Sequence, residues 1–184
     1  MICYSLPHSL NVNGTDYKIR WDTEAALDII TALGDPDLSD HDRALALLGI
    51  LYVDKIPRRD QEEAIRRAYW FLDGGDIAKP KKSPRVVDWE KDFPIIVAPV
   101  NRVLGYDIRQ DPQSLHWWTF LAAYMETGCD CLFAQVVNIR NKEATGKKLE
   151  KWEKEWANNN RELINIRVKE SKEEADFFKD VFGL

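Results

Sequence analysis

The spacing of apolar positions changes from alternation to a helical period after residue 21. Apolar and polar residues alternate in Leu10–Val12 and Tyr17–Trp21, on either side of Asn13-Gly14. Both central residues of a tight primed turn need positive φ, so this dipeptide between alternating arms predicts a β-hairpin. An isolated hairpin is only marginally stable in water, and its apolar face is therefore expected to pack on other elements.

Three helices are predicted between the hairpin and residue 75. Asp22 or Thr23 is expected to cap the first helix, and Gly34 is expected to end it in the αL conformation. Ser39 is expected to cap the second helix. Asp60 and Glu63 resemble a capping box ahead of the third. Apolar residues cover most of the circumference of the second helix and predict that it is central and heavily buried. They are Leu45, Leu47, Leu48, Ile50, Leu51 and Tyr52.

Prolines mark the start of the second half of the chain. Residues 76–87 are rich in Pro and Lys and are expected to form a linker. Beyond it, a helix capped by Asp92 is predicted, with Pro94 in its first turn and a kink at Pro99, ending at Gly105. The next helix begins near Ser114 and is predicted to have two adjacent apolar faces. One comprises Leu115, Trp118, Ala122 and Met125, and the other Trp117, Leu121 and Tyr124.

The last third of the chain is helical and increasingly charged. A shorter helix is predicted from Asp130. After it, apolar residues recur at alternating intervals of three and four, as in a heptad seam, and Asn159 is the one polar residue at a seam position. The seam is too short to predict a coiled coil, and the asparagines around residue 159 are able to interrupt the helix. It comprises Leu149, Trp152, Trp156, Leu163 and Ile166.

These elements predict a mainly α fold, a multi-helix bundle with a small N-terminal β-hairpin. The 184 residues suit a single helical domain over 1–184. It would contain the hairpin and helices of 9–75, the linker 76–87 and C-terminal helices over 88–168. A tail, 169–184, would either dock or fray, and its apolar residues are Phe177, Phe178, Val181 and Phe182.

Composition and charge narrow the class of protein. Hydrophobic residues make up 45% and the net charge is −5, so the chain is globular and its averaged field repels phosphates. Nucleic-acid binding would rest on the basic stretch from Lys79 to Arg85, followed by Trp89, which we interpret as a solvated linker. Three cysteines, no basic leader and no apolar run of 18 residues favour a cytoplasmic protein that neither is secreted nor spans a membrane.

We recognise no catalytic, phosphate-binding or metal-binding motif in the sequence. There is no GxGxxG phosphate loop and no GxSxG nucleophile turn. His116 is interpreted as a polar position beside an aromatic face, and Cys129-x-Cys131 lacks the second ligand pair of a structural zinc site, so small buried thiols are expected. We therefore expect a protein that is not an enzyme and that binds no cofactor and no metal.

Tryptophans are the remaining candidates for function. The chain has seven, and this residue is favoured at interface hot spots, although core packing explains most tryptophans equally well. Trp117, Trp118, Trp152 and Trp156 are the predicted partner-binding residues. The first two point about 100° apart on a helix, so one of that pair is the first candidate.

Several segments, taken in order, resemble a family of phage proteins. The most distinctive is the stretch from Leu115 to Phe120, which reads LHWWTF. From about Ser9 to about Trp156 the chain is similar to the bacteriophage gene-product-fifteen family of long-tailed phages and prophages of Gram-positive bacteria. The other segments are Asn13-Gly14, Ile56-Pro57, Gln61–Ile65, Trp70-Phe71, Asp88–Asp92 and Gly105–Ile108.

The resemblance implies a non-catalytic role. Family members look like tail assembly chaperones that coat the tape-measure protein in the host cytoplasm, help recruit tail-tube subunits and are absent from the mature virion. A homo-oligomer is also expected, and the family brings no catalytic residues to carry over. Two alternatives stay open: a structural virion protein, such as a tail-completion or connector subunit, and a nucleic-acid-binding regulator.

Overall fold

The computed structural model describes residues 5–75, 84–111 and 113–166. These residues form two compact units, 5–75 (the N-unit) and 84–166 without residue 112 (the C-unit). Residues 76–83 of the expected linker, with most of its basic stretch, lie outside the described residues. The expected tail, 169–184, and Cys3 lie outside them as well.

The N-unit consists of a hairpin followed by three helices and a short 3-10 turn. Its elements are β1 (Ser9–Val12), β2 (Thr15–Lys18), α1 (Thr23–Leu33), α2 (Asp40–Leu51), the 3-10 turn Arg58–Asp60 and α3 (Gln61–Leu72). The C-unit contains α4 (Trp89–Leu104), α5 (Trp117–Met125), α6 (Leu132–Ala144), α7 (Lys151–Asn159) and α8 (Arg161–Ile164). The predicted mainly α fold with an N-terminal hairpin is thus confirmed.

The hairpin turn forms where the sequence predicts it. Asn13 and Gly14 have φ values of 50° and 89° between two antiparallel strands. Asn13 Nδ2 donates a hydrogen bond of 2.9 Å to Asp60 Oδ1. Asp60 makes no capping bond to α3, so the predicted capping box with Glu63 is wrong, and the carboxylate joins the hairpin turn to the start of α3 instead.

Two of the predicted caps in the N-unit are confirmed. Asp22 accepts a hydrogen bond from the Ala25 amide at 2.9 Å, and Ser39 accepts one from the Asp42 amide at 3.2 Å. Gly34, however, ends α1 with a φ of −86°, so the predicted αL ending is wrong. The Gly34 amide still donates a hydrogen bond to the Ile30 carbonyl, four residues earlier, although Gly34 does not adopt the left-handed conformation.

Burial of α2 is one-sided. Leu47, Leu48 and Leu51 are buried, while Leu45 is 46% exposed. The helix packs against α1 and α3, which cover only part of its circumference. The prediction of a heavily buried helix is therefore wrong for the face that carries Leu45, because an apolar sequence does not ensure that neighbours exist on every face.

Helix α4 begins one turn earlier than predicted. Asp88 caps it by accepting a hydrogen bond from the Lys91 amide at 3.2 Å, and Asp92 is buried inside the helix. Pro94 therefore lies beyond the first turn. The helix continues through Pro94 and Pro99 and ends, as predicted, at Gly105, whose φ is 80°.

The buried residues of helix α5 match neither of its two predicted apolar faces, although Trp117 belongs to the second of them. The buried residues of the helix are Trp117, Phe120 and Ala123, whereas Met125 at its end is 75% exposed. His116 forms the N-cap, because its Nδ1 accepts a hydrogen bond from the Trp118 amide at 3.0 Å. The helix thus starts later than Ser114, which changes the positions that face inward.

The predicted apolar seam near the C-terminus is divided between two helices. Asn160 interrupts them, and Trp152 is 58% exposed. Three of the seam residues, Leu149, Trp156 and Leu163, pack against a buried cluster instead. That cluster comprises Val136, Ile139, Ala157 and Ile164.

Candidate functional site

An apolar groove of about 500 Å³ is the candidate functional site of the C-unit. The end of α5, the middle of α6 and the segment that precedes α4 form its walls. Most of its side chains are apolar, and the polar ones are neutral. The lining residues are Pro84, Val86, Tyr124, Met125, Thr127, Phe133, Ala134, Val137, Asn138 and Asn141.

Aromatic packing connects the groove to the interior of the C-unit. Tyr124 and Phe133 have ring centroids 5.5 Å apart, and both line the groove. Phe120 stacks on Tyr124 at 6.4 Å and on Trp117 at 5.4 Å. These aromatic side chains give the groove a wall that is built from the core and is resistant to collapse.

The wall residue Tyr124 stays uncharged over the physiological range. Burial raises the pKa of Tyr124 to about 12, and the negative charge of Asp92 acts in the same direction. No charged side chain belongs to the described residues that line the groove. The groove therefore suits an apolar peptide surface rather than a charged ligand.

A buried ion pair holds the other wall in place. Arg140 on α6 donates to both carboxylate oxygens of Asp92 on α4, at 2.6 and 2.9 Å. The same guanidinium donates to the carbonyls of Val86 at 3.0 Å, Leu163 at 2.5 Å and Ile164 at 3.0 Å. One side chain thereby fixes α4, α6, α8 and the groove-lining segment at Val86.

A second buried carboxylate joins α6 to α7. Glu153 accepts hydrogen bonds from Lys142 Nζ at 2.6 Å, Asn138 Nδ2 at 3.2 Å and the Glu150 amide at 2.8 Å. The bond from Lys142 is the main reason that the pKa of Glu153 lies below its usual range. Asn138 also lines the groove, so this network orients a polar residue of the groove.

The structure does not bring the four predicted partner-binding tryptophans together at this groove. Trp117 is only 1% exposed and packs among aromatic side chains, so its placement does not offer a surface for a partner. Trp118 and Trp156 are half-buried, and Trp152 is the most exposed of the four. Those three remain predicted contact residues, although none of them is among the described residues that line the groove.

Sequence reasoning missed the groove-lining residues. Met125 was predicted only as part of an apolar face of its helix, and no pattern in the sequence singled out Phe133 or Val137. A signal existed in the sequence: α5 has more apolar residues than one face of a nine-residue helix is able to bury. The sequence did not indicate which of them stay exposed.

Of the two cysteines in the described part of the chain, one caps a helix and the other is exposed. Cys131 caps α6 by accepting a hydrogen bond from the Ala134 amide at 3.4 Å, and its thiol donates to the Gly128 carbonyl at 3.2 Å. Cys129 is exposed, so the prediction of small buried thiols is wrong for this residue. Within the described ranges, no group of three or more His, Cys, Asp or Glu side chains is placed to hold a metal ion.

No helix in the described part of the chain is both long enough and apolar enough to cross a membrane.

In a comparison with protein families, residues 3–166 match the family described as Bacteriophage Gp15 protein. No significant match is found among curated proteins. The solved structures give no significant match either.

Proposed function

Because the chain belongs to the Bacteriophage Gp15 protein family, we propose that it is a tail assembly chaperone that binds the tape-measure protein during tail morphogenesis. It acts without catalysing a reaction and needs no cofactor. We further propose that it works as a homo-oligomer in the host bacterial cytoplasm, helps recruit tail-tube subunits and is absent from the mature virion.

The apolar groove of the C-unit is the observation that supports this proposal. In the proposed role the tape-measure protein presents long apolar helices, and an amphipathic helix binds by laying its apolar face into a groove of this kind. Met125 at the end of α5 is 75% exposed, and methionine adapts its shape to different apolar partners. Such a surface holds many helical sequences with low specificity, as a chaperone requires.

Charge supports the same proposal. The groove is uncharged, whereas the chain as a whole carries a net charge of −5. A complex with an apolar helix in the groove would therefore still carry a negative net charge, which opposes aggregation. This arrangement favours a soluble complex over precipitation.

Co-expression with a tape-measure fragment tests the proposal. We expect the soluble fraction of the fragment to rise several-fold with this protein and to fall again with Met125→Glu, because a carboxylate in the groove would have to be desolvated. Val103→Glu is the matched control, since Val103 is an exposed apolar residue of α4 outside the groove lining.

Two outcomes would contradict the proposal. Equal precipitation of the fragment with and without this protein would exclude tape-measure binding. Detection of the protein in purified particles at a fixed copy number would instead support the structural virion protein. Since Met125 is mostly exposed, Met125→Glu leaves the fold intact, and circular dichroism of both variants verifies this.

A further inference from the structure

We propose that Met125 is a site of oxidative modification, where a peroxide converts the thioether to a sulfoxide and thereby weakens the binding of apolar helices in the groove. The position of the site follows from its exposure and its chemistry. Its effect on binding rests on the proposed function, so the site and the effect are measured separately.

Met125 is accessible to a small oxidant in the folded chain. It is the last residue of α5 and is 75% exposed. Exposure determines how readily a methionine is oxidised, because the oxidant has to reach the sulfur. The chain has one other methionine, Met1, which lies outside the described residues. Met125 is therefore the one thioether of the described ranges, and it lines the groove.

The modification is a transfer of one oxygen atom from the oxidant to sulfur. With hydrogen peroxide, the sulfur lone pair attacks one peroxide oxygen, so that an S–O bond forms while the O–O bond breaks. The hydroxide that leaves takes the proton of the transferred oxygen and departs as water. Sulfur is thereby oxidised by two electrons and the peroxide is reduced by two. Methionine sulfoxide reductases return the product to methionine, so the modification is reversible.

Oxidation changes the kind of surface that the groove offers. A thioether is apolar, whereas a sulfoxide is polar and its oxygen accepts hydrogen bonds. Phe133 and Val137 line the groove together with Met125, and no charged side chain belongs to the described lining. A bound apolar helix would cover the sulfoxide oxygen and remove its water. Without a new donor for that oxygen, the affinity falls about tenfold.

The polar side chains of the groove are poorly placed to supply that donor, because the fold already uses them. The Thr127 hydroxyl donates to the Tyr124 carbonyl at 2.8 Å, and Asn138 Nδ2 donates to Glu153 Oε1 at 3.2 Å. Asn141 is the third polar residue of the lining, and it is exposed. A sulfoxide at position 125 would therefore compete with existing hydrogen bonds or with water, and its desolvation stays uncompensated.

Peptide mass spectrometry of the full chain after treatment with hydrogen peroxide tests the site. We expect Met125 to gain one oxygen atom about as fast in the folded chain as in the chain unfolded in urea, because folding leaves this residue exposed. A rate more than about tenfold lower in the folded chain would overturn the proposal, since the fold would then shield the sulfur.

The affinity for a tape-measure fragment, measured before and after treatment, tests the effect. We expect treatment to weaken binding by the wild-type chain about tenfold, and the reductases to restore it. In Met125→Leu, which has no sulfur at this position, treatment should cause no change. Cys129→Ser removes an exposed thiol that is not among the described lining residues, and it should respond to treatment as the wild type does.

Equal affinities of the treated and untreated wild-type chains would overturn the proposal. An equal loss of affinity in treated Met125→Leu would overturn it too, because another residue would then be the cause. If the untreated chain fails to bind the fragment, the proposed function fails and the effect on binding is overturned with it. The mass spectra still decide the site in that case, so the two failures are distinguishable.

Discussion

The two units of the chain differ in whether both partners of an ion pair are buried. In the N-unit, the Arg43 side chain is only 5% exposed, but its partner Asp40 is 45% exposed. In the same unit, Arg66 and Arg67 pair with Glu62 and Glu63 on the solvent side of α3, with both arginines about half exposed. In the C-unit, the side chains of Arg140 and Asp92 are only 3% and 2% exposed. The first arrangement contributes little to stability, whereas the second determines where several elements lie.

The buried pair of the C-unit also holds a short helix at the end of that unit. The N-unit helices have 11 or 12 residues and present apolar faces to one another and to the hairpin. In the C-unit, α7 has nine residues and α8 only four, too few for a large apolar face. The Arg140 guanidinium holds α8 in place by donating hydrogen bonds to the carbonyls of Leu163 and Ile164. The same guanidinium also donates to the carbonyl of Val86 in the groove wall.

The largest expected effect comes from breaking the buried pair. Arg140→Met should lower the free energy of unfolding of the C-unit by about 3–5 kcal/mol, because it leaves the Asp92 carboxylate and three carbonyls without their donor. Hydrogen exchange should show the loss of protection in α4, α6 and α8. Arg67→Met in the N-unit is the control and should cost less than about 1 kcal/mol. Equal effects of the two substitutions would remove the distinction between the units.

A smaller effect is expected from the N-unit's buried hydroxyl. Tyr52 donates a hydrogen bond of 2.8 Å to the Ala64 carbonyl, and burial raises the pKa of Tyr52, so the donor is always protonated. Tyr52→Phe should destabilise the N-unit by about 1–2 kcal/mol, because a buried carbonyl loses its partner. Chemical denaturation measures the change. Tyr106→Phe, at an exposed tyrosine, should have no effect, and an equal loss there would contradict the explanation.

The smallest expected effect is a change in acid sensitivity at Glu153. Its folded pKa is lowered mainly by the hydrogen bond from Lys142, so this carboxylate stabilises the fold at neutral pH. That contribution is lost as the pH falls below the ordinary glutamate value of about 4.3. Glu153→Gln should therefore be less stable at neutral pH and lose less stability on acidification. A parallel pH profile for the wild type and the variant would contradict this assignment.

The local features of the fold were predictable because each depends on a few neighbouring residues. Asn13-Gly14 predicts its turn through the backbone conformations that only such residues adopt readily. Ser39 and Gly105 mark a helix start and a helix end by the same local logic. The family resemblance was likewise carried by short segments, and the match over residues 3–166 confirms it.

Features that depend on distant residues were not predictable. Asp92 has the sequence context of a helix cap, and its true partner, Arg140, is 48 residues away. Asp60 bonds to Asn13 across 47 residues for the same reason. The groove was missed because an apolar residue left exposed, such as Met125, has the same sequence pattern as a buried one.

Site-specific photo-crosslinking tests most directly whether the groove binds another polypeptide. A photoreactive phenylalanine analogue would replace Met125 in one variant and Val103 in another, in cells that also produce a tape-measure protein. The account predicts a covalent adduct with the tape-measure protein from position 125 and none from position 103. Adducts from both positions in equal yield, or from position 103 alone, would contradict it.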